Sequence, residues 1–470
     1  MLCVESTNLR THRCLLRNTA RHLHQTAFMS HRIHPVDEIL PARQLLALGL
    51  QHLLVMAASP ITAAFVISRA LDLPPSVTVN LIGATFLVCG LGSMLQAFGP
   101  WKIGARLPFV MVPGGAPVFI FLSIAKLTDL PTAVGAVLMT AVFYVVALPA
   151  FSRCLRFFPD LVIGTMLLLV GINLIAVYGG IVAGRPGTPS FGDPTSLGLA
   201  FATIVMTVMY VRLLPGMFGQ LAVMFGLFSG TILAALLGLV HLDGVFTGPL
   251  LGIPTPFPFG MPKFNIVASI PLLLFSIISM AEATSQTVAI SDVVGKPINR
   301  ERDVPRTIRG DALMSLIGGI FGTTLIITSG ENIGIVRATG VRSRYVTATC
   351  GALLVIVALL APLARLANAI PAPVVGGTAI IVFSIICGMG IAILRRVDLH
   401  AQGNLFTLAI ALSIGLMPIM VPGLFSKFPP NLQIILGNGL AMGTLAAVLS
   451  NIAFHHVGSP GVPAIEQAAE

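Results

Sequence analysis

The chain has 470 residues, of which 56% are hydrophobic and only 9% charged, with a mean hydropathy of +0.95. A soluble domain is about 25% charged, so this composition excludes one and describes a polytopic protein whose solvent is the lipid bilayer. The net charge of +10 does not point to a nucleic-acid partner, because membrane proteins collect Lys and Arg in cytoplasmic loops and no basic soluble domain is visible.

Residues 1–38 are rich in Arg and His and lack an apolar core segment, so they read as a cytoplasmic tail rather than a cleavable signal peptide, with Met29 as an alternative start. The six cysteines (Cys3, Cys14, Cys89, Cys154, Cys350, Cys387) form no CxxC pair, so neither a disulfide framework nor a zinc site is expected, and no cofactor. From there apolar runs recur at 43–60, 77–98, 108–125, 131–150, 161–178, 196–213 and 217–240. After a Pro-rich loop at 241–264 they resume at 265–290, 311–328, 330–345, 346–364, 372–393, 404–422 and 433–454. Most match the roughly 17–25 residues that a helix needs to span a bilayer.

The third and tenth runs do not fit a continuous helix. The third is broken by Pro113-Gly114-Gly115-Ala116-Pro117, and the tenth carries Gly330, Gly334 and Gly340. Each is the third run of its half. Paired broken segments in matching positions are the mark of an inverted repeat with a substrate site between the breaks. Alternating the runs from an inside N-terminus puts most Lys and Arg, among them Arg153, Arg156, Lys296, Arg300 and Arg302, on the inside. That is the bias expected for fourteen spans with both termini in the cytoplasm.

Several polar residues fall at membrane depth. Glu282 lies midway along the eighth run, where a carboxylate costs at least ~2.5 kcal/mol unless it has a partner or water. Its roles would be to accept a ligand N–H or to carry a proton. Gln286, one turn on and on the same face, either lines the same cavity or joins two helices. Glu331 and Asn332 follow Ser329-Gly330. A segment that begins extended and then turns helical would add backbone donors and acceptors to these side chains, a corner suited to a planar heterocycle. Ser329 or Asn332 could equally cap that helix. Asp311 opens the ninth run, where an acid is favoured by the helix dipole alone. His52, beside Gln51, is either a structural partner or a proton relay. The cluster Arg300-Glu301-Arg302-Asp303 reads as a solvated loop. No GxxxxGK[ST], HExxH or GxSxG motif occurs, so the chain is not expected to be an enzyme.

These residues carry a resemblance to the nucleobase–ascorbate transporters, or nucleobase:cation symporters, over about residues 39–456. The family motif [Q/E/P]-N-x-G-x-x-x-x-T-[R/K/G] is matched by Glu331-Asn332-Ile333-Gly334 followed by Thr339-Gly340. Gln51-His52 resemble the family's first-helix pair, Glu282 its eighth-helix glutamate and Asp311 its ninth-helix aspartate.

The resemblance implies an all-α fold of two inverted seven-helix repeats, with short strands in segments 3 and 10. It implies a core domain (39–150 and 265–366) and a gate domain (151–264 and 367–456), flanked by tails 1–38 and 457–470. An elevator-like mechanism, a homodimer joined through its gates and a place in the plasma membrane come with it. Glu282, Glu331 and backbone near Gly115 and Ala116 would bind a nucleobase, while His52, Asp311 and Asn332 support affinity and coupling, with protons rather than sodium as the driving ion.

Most of the chain is similar to the xanthine and uric acid branch. Glu331 stands where that branch usually has Gln, as in uracil carriers, yet Gly340 stands where uracil carriers have Arg or Lys. Gly114-Gly115-Ala116-Pro117 replaces a more usual Ser/Thr-Phe pair, and these small residues are expected to leave room for a two-ring base. A purine such as xanthine or urate is therefore expected, with uracil as the alternative. An anion exchanger of similar architecture is a further alternative, disfavoured by two central carboxylates.

Overall fold

The structure is a computed structural model, and it describes residues 34–154, 158–184, 191–215, 217–240, 245, 249–421 and 423–455. The first half contains α1 (Ala42–Met56), α2 (Ala58–Ala70), α3 (Pro75–Phe98), strand β1 (Met111–Pro113), α4 (Gly115–Leu127), α5 (Leu130–Cys154), α6 (Asp160–Ala183), α7 (Pro194–Leu213) and α8 (Ala222–Leu236). The second half contains α9 (Ile266–Val294), α10 (Arg300–Ile320), strand β2 (Ile326–Thr328), α11 (Glu331–Thr339), α12 (Arg344–Leu359), α13 (Ala361–Asn368), α14 (Ala372–Leu394), α15 (Gln402–Met420) and α16 (Gly439–His455). Short helical turns at Pro35–Asp37, Pro100–Lys102, Met217–Gln220 and Pro430–Leu436 complete the described elements.

Eight helical stretches among the described residues are long and apolar enough to cross a membrane, α1 and α2 counting as one, and α4, α8, α12 and α16 are shorter apolar helices. The chain is a multi-pass membrane protein. Its outer faces confirm the solvent, since Phe201, Leu213, Ile232 and Met417 are all half-exposed or more. In water such a surface would be an aggregation liability.

The helices pack as two sets. In one, α1 and α3 lie along α12, and α5 lies along α9 and α10. In the other, α14 lies along α6 and α7, α8 along α7, and α15 along α16. The α3–α12 contact is close enough to need glycine on both sides. A Cβ on Gly90 would sit 2.6 Å from the Gly351 carbonyl oxygen, and one on Gly351 at 2.6 Å from that of Gly90.

The two broken segments meet. β1 pairs antiparallel with β2 through Met111↔Thr328, Val112↔Ile327 and Pro113↔Ile326, and the ladder continues through Gly114 N–H to Leu325 O and Ser329 N–H to Val110 O. Extended backbone at this depth is tolerated because the pairing satisfies it inside the protein.

Two expectations need correction. The polar stretch at 300–303 is the first turn of α10, capped by Asn299, whose Oδ1 accepts from Arg302 N–H at 3.2 Å. Asp303 there is buried and paired with Arg302 and Arg306. Asp311 consequently sits in the middle of α10, not at its start. Hydropathy marks where a helix enters the apolar layer, whereas the cap marks where the helix begins, and here these differ by about three turns.

On the same side, the chain before α1 is strapped to the first set. The Asp37 carboxylate accepts from Lys296 Nζ at 3.1 Å and from Arg344 Nε at 2.7 Å, and the Ser343 hydroxyl donates to Glu38 O at 2.6 Å. Partial burial of Asp37 pushes its pKa up, but the bonds to Lys296 and Arg344 outweigh this and hold it below the usual carboxylate value. A depressed carboxylate contributes stability above its unfolded pKa and loses it as pH falls through the folded value. Asp37→Asn is therefore expected to cost about 1–2 kcal/mol at pH 7. In detergent its thermal midpoint should fall below that of the wild type at neutral pH, and the gap should close under acid conditions. An equal gap at both pH values would assign the strap to shape rather than charge.

Candidate functional site

The centre is organised by the strand pair. Pro113 lacks an N–H, Gly114 stays extended (φ −67°, ψ 132°) and α4 starts at Gly115. On the other strand Gly330 caps α11. Because the strands are antiparallel, both helices begin at the middle of the protein and present their N-terminal N–H groups there, the usual way a transporter builds polar character at membrane depth.

Asp311 fastens this arrangement. Its Oδ1 accepts from the Thr328 hydroxyl at 2.6 Å, from Thr328 N–H at 3.1 Å and from Gln96 Nε2 at 3.3 Å. Gln96 also donates to Thr307 O and accepts from Ala105 N–H, and the Ser315 hydroxyl bridges the backbone of Ile326. Asp311 thus holds the strand that leads into Glu331. Gln96, Thr328 and Ser315 were not singled out in the sequence. A lone Gln in an apolar run was the one available signal, while Thr and Ser are too common in such runs to stand out.

Glu282 and Gln286 lie one turn apart on α9, and Gln286 Nε2 donates to Glu282 Oε1 at 2.9 Å. The same Nε2 lies 3.1 Å from where a Cβ on Gly330 would be. Gln286 therefore links Glu282 to the start of α11, where Glu331 N–H donates to the Ser329 hydroxyl at 3.2 Å. Asn332 caps nothing and instead donates from Nδ2 to Pro108 O at 2.6 Å. His52 donates from Nδ1 to Leu48 O at 2.9 Å, leaving Nε2 as its acceptor.

Five buried polar atoms here have no protein partner: Gln51 Nε2 and Oε1, His52 Nε2, Gln286 Oε1 and Asn332 Oδ1. Each such atom costs about 1–3 kcal/mol, and Gln286 Oε1 and Asn332 Oδ1, beside and within the start of α11, give that corner unused capacity for a polar ligand. Among the described residues no three of His, Cys, Asp or Glu gather closely enough to hold a metal ion.

The rest of the motif lies at the other end of α11. The Thr339 hydroxyl donates to Ile335 O at 2.8 Å and Gly340, at φ +68°, ends the helix. Gly334 is exposed with nothing near its Cβ position. These three shape the helix rather than touch the corner.

The room expected at 114–116 is filled. A Cβ on Gly115 would lie 2.7 Å from Leu174 Cδ1 on α6 and 2.9 Å from Phe383 Cε1 on α14. Phe383 in turn stacks on Tyr178 with ring centroids 5.1 Å apart, and Ala116 is buried. The small residues serve close approach by the second helix set, which a count of side-chain volumes along one segment does not reveal. A cavity of about 10 Å³ adjoins Glu282, lined by Phe158, Met166, Leu167 and Ile278 among others, room for about one water molecule.

Comparison with known proteins places the chain in a family. Residues 43–424 match the Permease family. The chain is 32% identical to the uric acid permease PucK of Bacillus subtilis over 87% of its own length and 94% of that protein. It is 31% identical to the uric acid transporter UacT of Escherichia coli over 89% and 88% of the two chains. Among solved structures, the transmembrane domain of the cyanobacterial bicarbonate transporter BicA superposes with a TM-score of 0.58 at 17% identity, covering 88% of this chain and 99% of that one. Murine Slc26a9, an anion transporter in an inward-facing state, gives a TM-score of 0.58 at 12% identity over 88% and 69%; both likenesses concern the fold alone. The protein is a membrane permease, not an enzyme. It belongs to the nucleobase–ascorbate transporter, or nucleobase:cation symporter, family of xanthine and uracil permease type.

Proposed function

We propose that this permease imports a purine, urate or xanthine, with protons, across the plasma membrane. The observation that carries the reading is the Glu282–Gln286 pair set against the start of α11, where Glu331 and backbone N–H groups converge. Urate, xanthine and uracil all present ring N–H groups beside carbonyls. An ionised carboxylate accepts such N–H groups, and Gln or a helix N-terminus donates to the carbonyls. Glu331 therefore does not exclude a purine. Relatives named uric acid permeases over nearly the whole chain favour the two-ring base.

The two helix sets serve as core and gate, with α6 and α14 closing over Gly115. Since the cavity at Glu282 holds about one water, a base enters only when α6 moves away from α9, which is the relative motion of an elevator. Counting each strand with its helix, α1 with α2 and α12 with α13, the chain reads as fourteen segments in two inverted halves, and the exposed apolar faces of the gate helices suit a homodimer in lipid. Both termini then lie in the cytoplasm.

Uptake of labelled urate and xanthine by a bacterium lacking its own purine carriers tests the substrate. Uptake is expected, it should collapse with a protonophore, and uracil should compete weakly. Strong uracil uptake without competition by urate or xanthine would refute the purine assignment.

Labelling tests the orientation. A cysteine at the exposed Met261 should react with an impermeant thiol reagent added outside whole cells, and one at the exposed Glu301 should not. Reaction at 301 would overturn the fourteen-segment topology.

A further inference from the structure

Far from the strap, at the other end of the two helix sets, lies a cavity of about 650 Å³. This falls within the roughly 300–1,000 Å³ of small-molecule sites. It opens between the end of α2, the start of α3 and α13 on the core side, and the start of α14 on the gate side. Among the described residues no acidic side chain lines it, but two arginines do, Arg69 and Arg365.

Arg69 is exposed in the last turn of α2, its guanidinium carbon 5.1 Å from the centre of the Phe65 ring. Arg365 is partly buried and donates from Nε to Val245 O at 2.8 Å and from Nη2 to Pro249 O at 3.1 Å. Asn80 supplies a third group. Its Oδ1 accepts from Thr255 N–H at 2.7 Å and from the Thr255 hydroxyl at 3.1 Å, which orients the amide and leaves Nδ2 buried with no protein partner. Pro75, Val79, Pro254 and Ile370 add apolar surface to the walls, which also carry Ser76 and Asn368.

We propose that this basin is a second, outer binding site for a planar oxopurine anion, the urate monoanion, distinct from the corner at Glu282. The inference rests on the purine reading above. Urate has lost one proton at neutral pH, so it reaches the protein charged, and the Glu282 corner, with its carboxylates, does not attract an anion from a distance. Two guanidiniums around a concave mouth do, because low-dielectric walls focus their field and raise the local concentration of the anion. Arg69 and Arg365 attract the charge, Asn80 Nδ2 donates to a ring carbonyl, and the proline and aliphatic walls take the faces of the rings. The basin spans the seam between core and gate, so it holds the substrate where the opening of that seam leads inward.

The test separates this site from the central one. Ser76, exposed and on the basin wall, is replaced by cysteine in a Glu282→Gln background, and labelling is read on whole cells against the same chain without that cysteine. The residue should react faster with an anionic methanethiosulfonate than with a cationic one, and urate should slow the reaction. Adding Arg69→Glu should reverse the charge preference and remove protection by urate. In the wild-type background, Arg69→Gln should raise the KM for urate roughly three- to tenfold at low salt, a gap that narrows as salt is added, and Arg69→Lys should restore it. No charge preference, or protection that survives Arg69→Glu, would overturn the outer site. Equal protection by bicarbonate would overturn the purine assignment of the basin. Failure of the wild type to take up urate or xanthine would instead remove the central reading, and protection at Ser76→Cys would still report on the basin.

Discussion

Glu282→Gln is expected to lower urate or xanthine uptake by about 100-fold or more while the protein still reaches the membrane, and Glu282→Ala to abolish it. The glutamine keeps the volume and can still face Gln286, whose Nε2 donates to Glu282 in the native protein. What it loses is the charge and the capacity to take up a proton. A hydrogen bond between a charged acceptor and a ligand N–H is worth about 1.5–3 kcal/mol, and loss of a proton carrier would stop coupled accumulation even where binding survives. The alanine variant also strips Gln286 of its acceptor, so it adds disorder at the start of α11. Initial rates, normalised to membrane levels by immunoblot, separate these outcomes. If Glu282→Gln transports at near-normal rates with normal sensitivity to a protonophore, the carboxylate is a packing group and the site lies elsewhere.

Asp311→Ala is expected to have a comparable effect on transport for a different reason. It removes the acceptor of the Thr328 N–H, the Thr328 hydroxyl and the Gln96 amide, all buried. Each donor left unpaired costs about 1–3 kcal/mol, enough to loosen β2 and with it the start of α11. Both uptake and the thermal midpoint in detergent should fall. Asp311→Asn keeps one oxygen acceptor for Thr328 and should hold the fold while transporting at a reduced rate. If Asp311 works through the strand, Thr328→Ala should reproduce part of the loss, and the double variant should be less than additive. Full additivity would mean that Asp311 acts on the substrate or proton directly, not through Thr328.

The contrast between these residues shows what the sequence could and could not convey. Glu282, Gln286 and the Ser329–Asn332 corner were legible because charge and glycine are costly in an apolar run, so each one signals an exception. The two broken segments were legible for the same reason, whereas the short strands within them came with the family resemblance and their pairing through β1 and β2 came only from the structure. Asp311 was legible as a position but not as a role. Its place looked like a helix start because polarity ended there, whereas Asn299 sets the actual start twelve residues earlier. The groups that bond Asp311 come from α3 and β2, and nothing in local pattern ties residue 96 to residues 311 and 328. Gly115 misled for a related reason. A small residue says that something comes close, not whether it is a ligand or a Phe383 from another helix.

The three-residue ladder between β1 and β2 also bears on how the chain is made. Residues 111–113 enter the membrane more than two hundred residues before 326–328, so when they are first threaded in, their ladder partners do not yet exist. The lipid interior offers no substitute for the missing hydrogen bonds. The first half cannot therefore mature on its own. Its third segment must wait, shielded by neighbouring helices or by the insertion machinery, until synthesis has passed Thr328. A chain truncated before that point would expose an unpaired strand to lipid and be a natural target for membrane quality-control proteolysis, whereas one truncated after α12 would already have closed its centre.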